Sequence, residues 1–166
     1  MSGARNRMRG FSLIEALIAL LVIAVGLLGI ASMQAASVYR THVGALNGLA
    51  AVGAQSIAAL MTANPGAFPA GASTFAYTTS DAAAVTYTTD CASAYCSSDD
   101  MALYDLNHWG AGLASDLPQG KGAVNCFGDP PQCSVTVSWI QKQMTPAPAA
   151  GTAGFTTSYY SVIVRP

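Results

Sequence analysis

The sequence predicts an α+β fold: a long N-terminal α-helix, transmembrane in its first half, packed on a small antiparallel β-sheet domain. Three observations predict it. No charged residue and no proline interrupts Ala16 to Tyr39. From Ser32 to Ala63 the larger apolar residues (Val38, Val43, Leu46, Leu49, Val52, Ile57, Leu60 and Met61) recur mostly at steps of three to five. The last third alternates β-branched and aromatic runs with Pro/Gly-rich turns.

The first stretch is long enough to cross a hydrocarbon core of about 30 Å at about 1.5 Å per residue. Glu15 stands at its start. A carboxylate costs roughly 2.5–3.5 kcal/mol at the bilayer centre and less towards the interface, so a chain that keeps one there needs a partner for it. Arg5, Arg7 and Arg9 precede the span, and Arg40 follows. That bias puts the N-terminus in the cytoplasm and the bulk of the chain on the exported side. A secretory signal ends its apolar region in a small-x-small site. Here Gly10 lies before the apolar region, so a cut between Gly10 and Phe11 would remove the basic leader and leave the helix on the product. The expected divisions are a leader over 1–10, a long helix over 11–63 with 11–33 in the membrane or a filament core, and an exported globular domain over 64–166.

The composition fits one small domain behind a span. Only 9% of the 166 residues are charged and 52% are hydrophobic. Without the leader, Arg40, Lys121, Lys142 and Arg165 face eight acids. This mildly acidic balance is a poor match for phosphate backbones, so no nucleic acid is expected as a partner.

The helix is expected to run from about Ser12 to Met61, on the order of 75 Å at about 1.5 Å per residue. Asn64-Pro65-Gly66 ends it. Thr74–Thr78 and Ala84–Thr89 read as short strands or extended chain. Ser98–Leu113 is a second helix, capped by Ser97 or Ser98, with Asp99 and Asp100 at the positive end of its dipole. Leu103, Leu106, Trp109 and Leu113 form its apolar face. Asp105 and His108 share a face, which reads as a surface contact. Ala123–Phe127 and Ser134–Ile140 flank Gly128-Asp129-Pro130-Pro131-Gln132 as a hairpin with Val135, Val137 and Trp139 on one side. Tyr159–Val164 is a last strand.

Cys91, Cys96, Cys126 and Cys133 all follow the span, where an oxidising compartment favours disulfides. Three pairings are open. Cys91–Cys96 and Cys126–Cys133 are favoured because each closes a short local loop. Zinc is the alternative, but the intervals do not match the usual two-residue knuckle spacing. No metal site and no cofactor is expected. His42 and His108 are the only histidines, and no nucleophile elbow, metal helix or glycine-rich cofactor loop accompanies them, so an enzyme is not expected.

Gly10-Phe11-Ser12-Leu13-Ile14-Glu15, behind a short basic leader and before a long apolar helix, resembles the prepilin peptidase site of type IV pilins and pseudopilins. The resemblance implies cleavage after Gly10, N-methylation of the new terminal Phe11, and a role for Glu15 in subunit assembly. The new α-amine of one subunit would lie near Glu15 of another, and each charge costs less paired than alone. Gly26-Leu27-Leu28-Gly29, Met61-Thr62-Ala63-Asn64-Pro65, Cys96 followed by Ala102–Leu106 and Trp109, and Val135–Trp139 are similar to the pattern of PilV-type minor pilins. That implies a minor pilin that helps to start type IV pilus assembly in a tip or priming complex. Its implied partners are prepilin peptidase, other minor and major pilins, the inner membrane and the pilus assembly platform. It would sit in the inner membrane before assembly and at the cell surface afterwards. Two other readings stay open: a minor pseudopilin of a type II secretion system, and a pilus-tip adhesin. In the adhesin, Tyr77, Tyr87, Tyr95, Tyr104, Tyr159 and Tyr160 would line a binding face.

Overall fold

The first helix, α1, spans Leu13–Ala63. It opens a computed structural model that describes residues 12–143 and 154–166. After α1 come α2 (Ser98–Asp116), β1 (Lys121–Phe127), β2 (Gln132–Lys142) and β3 (Phe155–Val164). The chain divides after His42 into two compact units, and α1 contributes to both.

In the first unit α1 buries nothing. Large apolar residues such as Leu17, Leu20, Leu21, Ile23 and Leu27 stand more than half exposed. This part is long and apolar enough to cross a membrane.

In the second unit the same helix becomes one-sided. Leu46, Ala50, Ala54, Ile57 and Met61, at steps of three and four, are buried while the opposite side, with Val52 and Leu49, is exposed. The helix ends where Pro65 begins a single 3-10 turn, and the Asn64 side chain donates to the Ser98 carbonyl at 2.8 Å. Helix α2 starts on Ser97, whose hydroxyl accepts from the Asp100 N–H at 3.1 Å, with Asp99 and Asp100 in the first turn. It buries Ala102, Leu106, Trp109, Gly110 and Leu113. Leu103, expected on that face, is only half-buried.

The sheet has the order β1-β2-β3 and is antiparallel throughout. Val124 from β1 and Val135, Val137 and Trp139 from β2 are fully buried in the core that holds the α1 and α2 stripes. β3 is longer than the sequence suggests. It begins at Phe155, opposite Lys142, because β2 extends far enough to give Thr156 and Thr157 partners in Gln141 and Ile140.

Thr74–Thr78 and Ala84–Thr89 are not strands. Phe75 and Tyr77 turn into the core, and only Thr79 reaches the sheet, exchanging two backbone hydrogen bonds with Val124 at 2.8 and 2.9 Å. Asp81 then accepts from the Ala83 N–H at 3.0 Å and caps a 3-10 turn over Ala82–Ala84, which carries the chain off the sheet edge. Beyond it, the Val85 carbonyl accepts from the Asn107 side chain at 2.6 Å, and Tyr87 packs on Tyr104. The β-branched and aromatic content here serves packing on α2, not a ladder.

Trp109 is the joint of this unit. Its Nε1–H donates to the Gly53 carbonyl of α1 at 2.8 Å. Its ring lies so close to β1 that a Cβ on Gly122 would meet Cη2 and Cζ3 at 2.5 Å. Glycine is required there by space alone. Gly122→Ala is expected to destabilise the domain by about 1–3 kcal/mol through overpacking. Trp109→Ala should cost about 3–5 kcal/mol through the cavity and the lost bond. Denaturant midpoints of the detergent-solubilised chain measure both.

Candidate functional site

The N-terminal site rests on the first turn of α1. The Ser12 carbonyl accepts from the Glu15 N–H at 3.0 Å and the Ala16 N–H at 3.3 Å, which starts the helix immediately behind Ser12. Glu15 thus sits in the first turn, where the positive end of the helix dipole favours an anion. Its side chain is exposed, and the apolar residues around it, Leu13, Ile14, Leu17 and Ile18, are exposed too. The arrangement offers a single carboxylate on a greasy surface to whatever covers that surface. Gly10 and Phe11, the cleavage and N-methylation residues expected from the sequence, lie outside the described residues.

In the second unit the polar groups serve structure. Tyr77 is fully buried, and its hydroxyl donates to Asp105 Oδ2 at 2.8 Å. Burial, then the bond to Asp105, pushes the Tyr77 phenol well above its ordinary pKa. Burial likewise raises Asp105, although the Tyr77 bond and the nearby His108 pull the other way. His108 is exposed. Its Nδ1 lies 3.0 Å from the Tyr104 carbonyl, and its ring lies 4.1 Å from that of Tyr104. Asp105 and His108 share one flank of α2, but Asp105 is committed to Tyr77, 28 residues away in sequence. Spacing along a helix carries no signal for so distant a pairing.

The cysteines are joined as Cys91–Cys96, with Cα atoms 5.6 Å apart, and Cys126–Cys133, with Cα atoms 4.0 Å apart. The second pair sits at directly opposed positions of β1 and β2. Among the described residues, no group of three or more His, Cys, Asp or Glu side chains is placed to hold a metal ion. The six tyrosines do not share a face. Tyr77 is in the core, Tyr87 and Tyr104 pack edge-on at 5.1 Å, and Tyr95 is isolated on the surface. Tyr159 and Tyr160, as neighbours on β3, point to opposite sides of the sheet.

The Tyr77–Asp105 pair gives a sign for pH dependence. A carboxyl raised in the folded state adds stability that is fully present below its unfolded pKa of about 3.9 and is lost as pH rises through the folded value. Asp105→Asn keeps an acceptor for the Tyr77 hydroxyl and removes the desolvated charge. It is expected to be at least as stable as the parent at pH 7 and to lose this loss of stability with rising pH. Asp105→Ala strands the buried hydroxyl and should cost about 1–3 kcal/mol at both pH values. Denaturation midpoints at pH 4 and pH 7 decide between them.

The prokaryotic N-terminal methylation motif matches residues 5–31. Neither the comparison with curated proteins nor that with solved structures gives a significant match. The matched segment holds the Gly10-Phe11 junction, Glu15 and the apolar start of α1, and it implies processing by prepilin peptidase and assembly of the pilus type. Together with a long N-terminal helix followed by a three-stranded antiparallel sheet, the match supports a type IV pilin-like protein.

Proposed function

We propose that the chain is a minor pilin that helps to initiate type IV pilus assembly, as a structural subunit in a tip or priming complex with other minor pilins. The observation that carries this reading is Glu15, the one acid in α1, held in the first turn within the matched N-terminal methylation motif. Cleavage after Gly10 frees an α-amine on Phe11, which is then methylated. In a packed bundle of such helices the amine of one subunit pairs with Glu15 of its neighbour. An unpaired charge in an apolar interior is destabilising by several kcal/mol, so the pair fixes axial register more than it adds stability. Before assembly the helix spans the inner membrane with its N-terminus in the cytoplasm and the Val43–Pro166 unit in the periplasm.

Intact-mass measurement from cells with an active prepilin peptidase should give a chain that begins at a methylated Phe11. Retention of Met1 to Gly10 overturns the reading. Glu15→Gln is expected to be cleaved normally yet to enter pili poorly, and incorporation at the parental level would remove the role given to Glu15. Deletion of the chain should reduce surface pili while secretion continues. Loss of secretion with intact pili would assign it to a type II secretion system instead.

A further inference from the structure

Along its whole length α1 carries one acid, Glu15, and one base other than histidine, Arg40. At about 1.5 Å per residue they lie about 37 Å apart along the axis. The hydrocarbon core is about 30 Å thick, and the bilayer with headgroups about 40–45 Å. With Glu15 at the inner headgroups, Arg40 therefore falls among the outer ones. No carboxylate follows Glu15 before Asp81, so the helix supplies no acid of its own near Arg40.

We propose that Arg40 and its helical flank form a site for the phosphate of a lipid headgroup in the outer leaflet of the membrane that α1 spans. The proposal rests on the spanning orientation given above. Met33, Ala36, Ser37, Arg40 and Thr41 stand at i, i+3, i+4, i+7 and i+8 of one helix face and line one shallow recess. Helical side chains lean towards the N-terminus, so the Arg40 stem lies back over the turn of Ala36 and Ser37, towards the hydrocarbon. Met33 and Ala36 offer an apolar bed for the top of an acyl chain. The guanidinium fork then meets the phosphate at the depth where that chain ends, in the two-point geometry that arginine makes with phosphate. A neighbouring chain's Glu15 is a poor rival, because it sits at the opposite end of the span. The site sets the depth of α1 and keeps Glu15 at the inner interface until the subunit leaves the membrane.

The test uses the full chain in vesicles of phosphatidylethanolamine and phosphatidylglycerol. Val38→Cys serves as a probe for a membrane-impermeant maleimide, and labelling is normalised to the chains whose C-terminal domain faces out. The four native cysteines are held in disulfides and do not compete. Arg40→Gln should let the helix slide towards the leader side and slow labelling about tenfold, the factor that corresponds to about 1.4 kcal/mol. Arg40→Lys should restore most of the rate. In phosphate-free galactolipid vesicles, Arg40→Gln and the parent should label alike. Equal labelling of the two in phospholipid, or the same slowing in galactolipid, overturns the site. An effect that vanishes when the protein is diluted in lipid also overturns it and assigns Arg40 to a neighbouring chain. Val25→Cys labelling as fast as Val38→Cys would bring down the spanning orientation itself.

Discussion

The apolar surface of the first half of α1 has to be covered. A fully exposed leucine or isoleucine forgoes roughly 1.5–3 kcal/mol relative to burial, and ten such side chains stand open between Leu13 and Ile30. A deficit on the order of 20 kcal/mol exceeds the whole stability of an ordinary domain, about 5–15 kcal/mol. In the proposed reading lipid removes it before assembly, and the helices of neighbouring subunits remove it in the filament. Glu15 gains its meaning from this requirement, because a cover of packed helices, unlike the lipid headgroups, leaves its carboxylate without water.

The second half of α1 solves the same problem within its own chain. Its buried stripe is built from small and medium residues, Ala50 and Ala54 among them, and the Trp109 and Leu113 side chains of α2 reach the helix at Gly53. Gly53 belongs to that approach, since a Cβ there would meet Leu113 Cδ2 at 2.7 Å. Glycine in a helix costs about 1 kcal/mol relative to alanine, and here the cost is offset by the indole of Trp109 reaching the Gly53 carbonyl past the missing side chain. Thus one uninterrupted helix serves two solvents by changing from apolar all round to apolar on one side.

Much of this was legible in the sequence because its signals are local and periodic. Both helices, the hairpin and the last strand follow from spacing, capping and turn residues, and the N-terminal site follows from a contiguous run. The departures lie where tertiary contacts outvote composition. Thr74–Thr78 and Ala84–Thr89 read as short strands or extended chain, and of the two the strand fails because Asp81 turns the chain after a single bridge. The length of β3 depended on how far β2 extends, which no property of Phe155–Ser158 encodes. The Tyr77–Asp105 bond joins residues whose own neighbourhoods give no hint of each other.

Each disulfide closes within a short segment, over sequence separations of 5 and 7. Neither loop requires the chain beyond it. As the polypeptide emerges from N- to C-terminus, Cys91 meets Cys96 before α2 has appeared, and Cys126 meets Cys133 before β3 has. With the proposed periplasmic placement, oxidation can therefore keep pace with export, and neither pair is left as thiols for an oxidant acting on the finished chain to mispair.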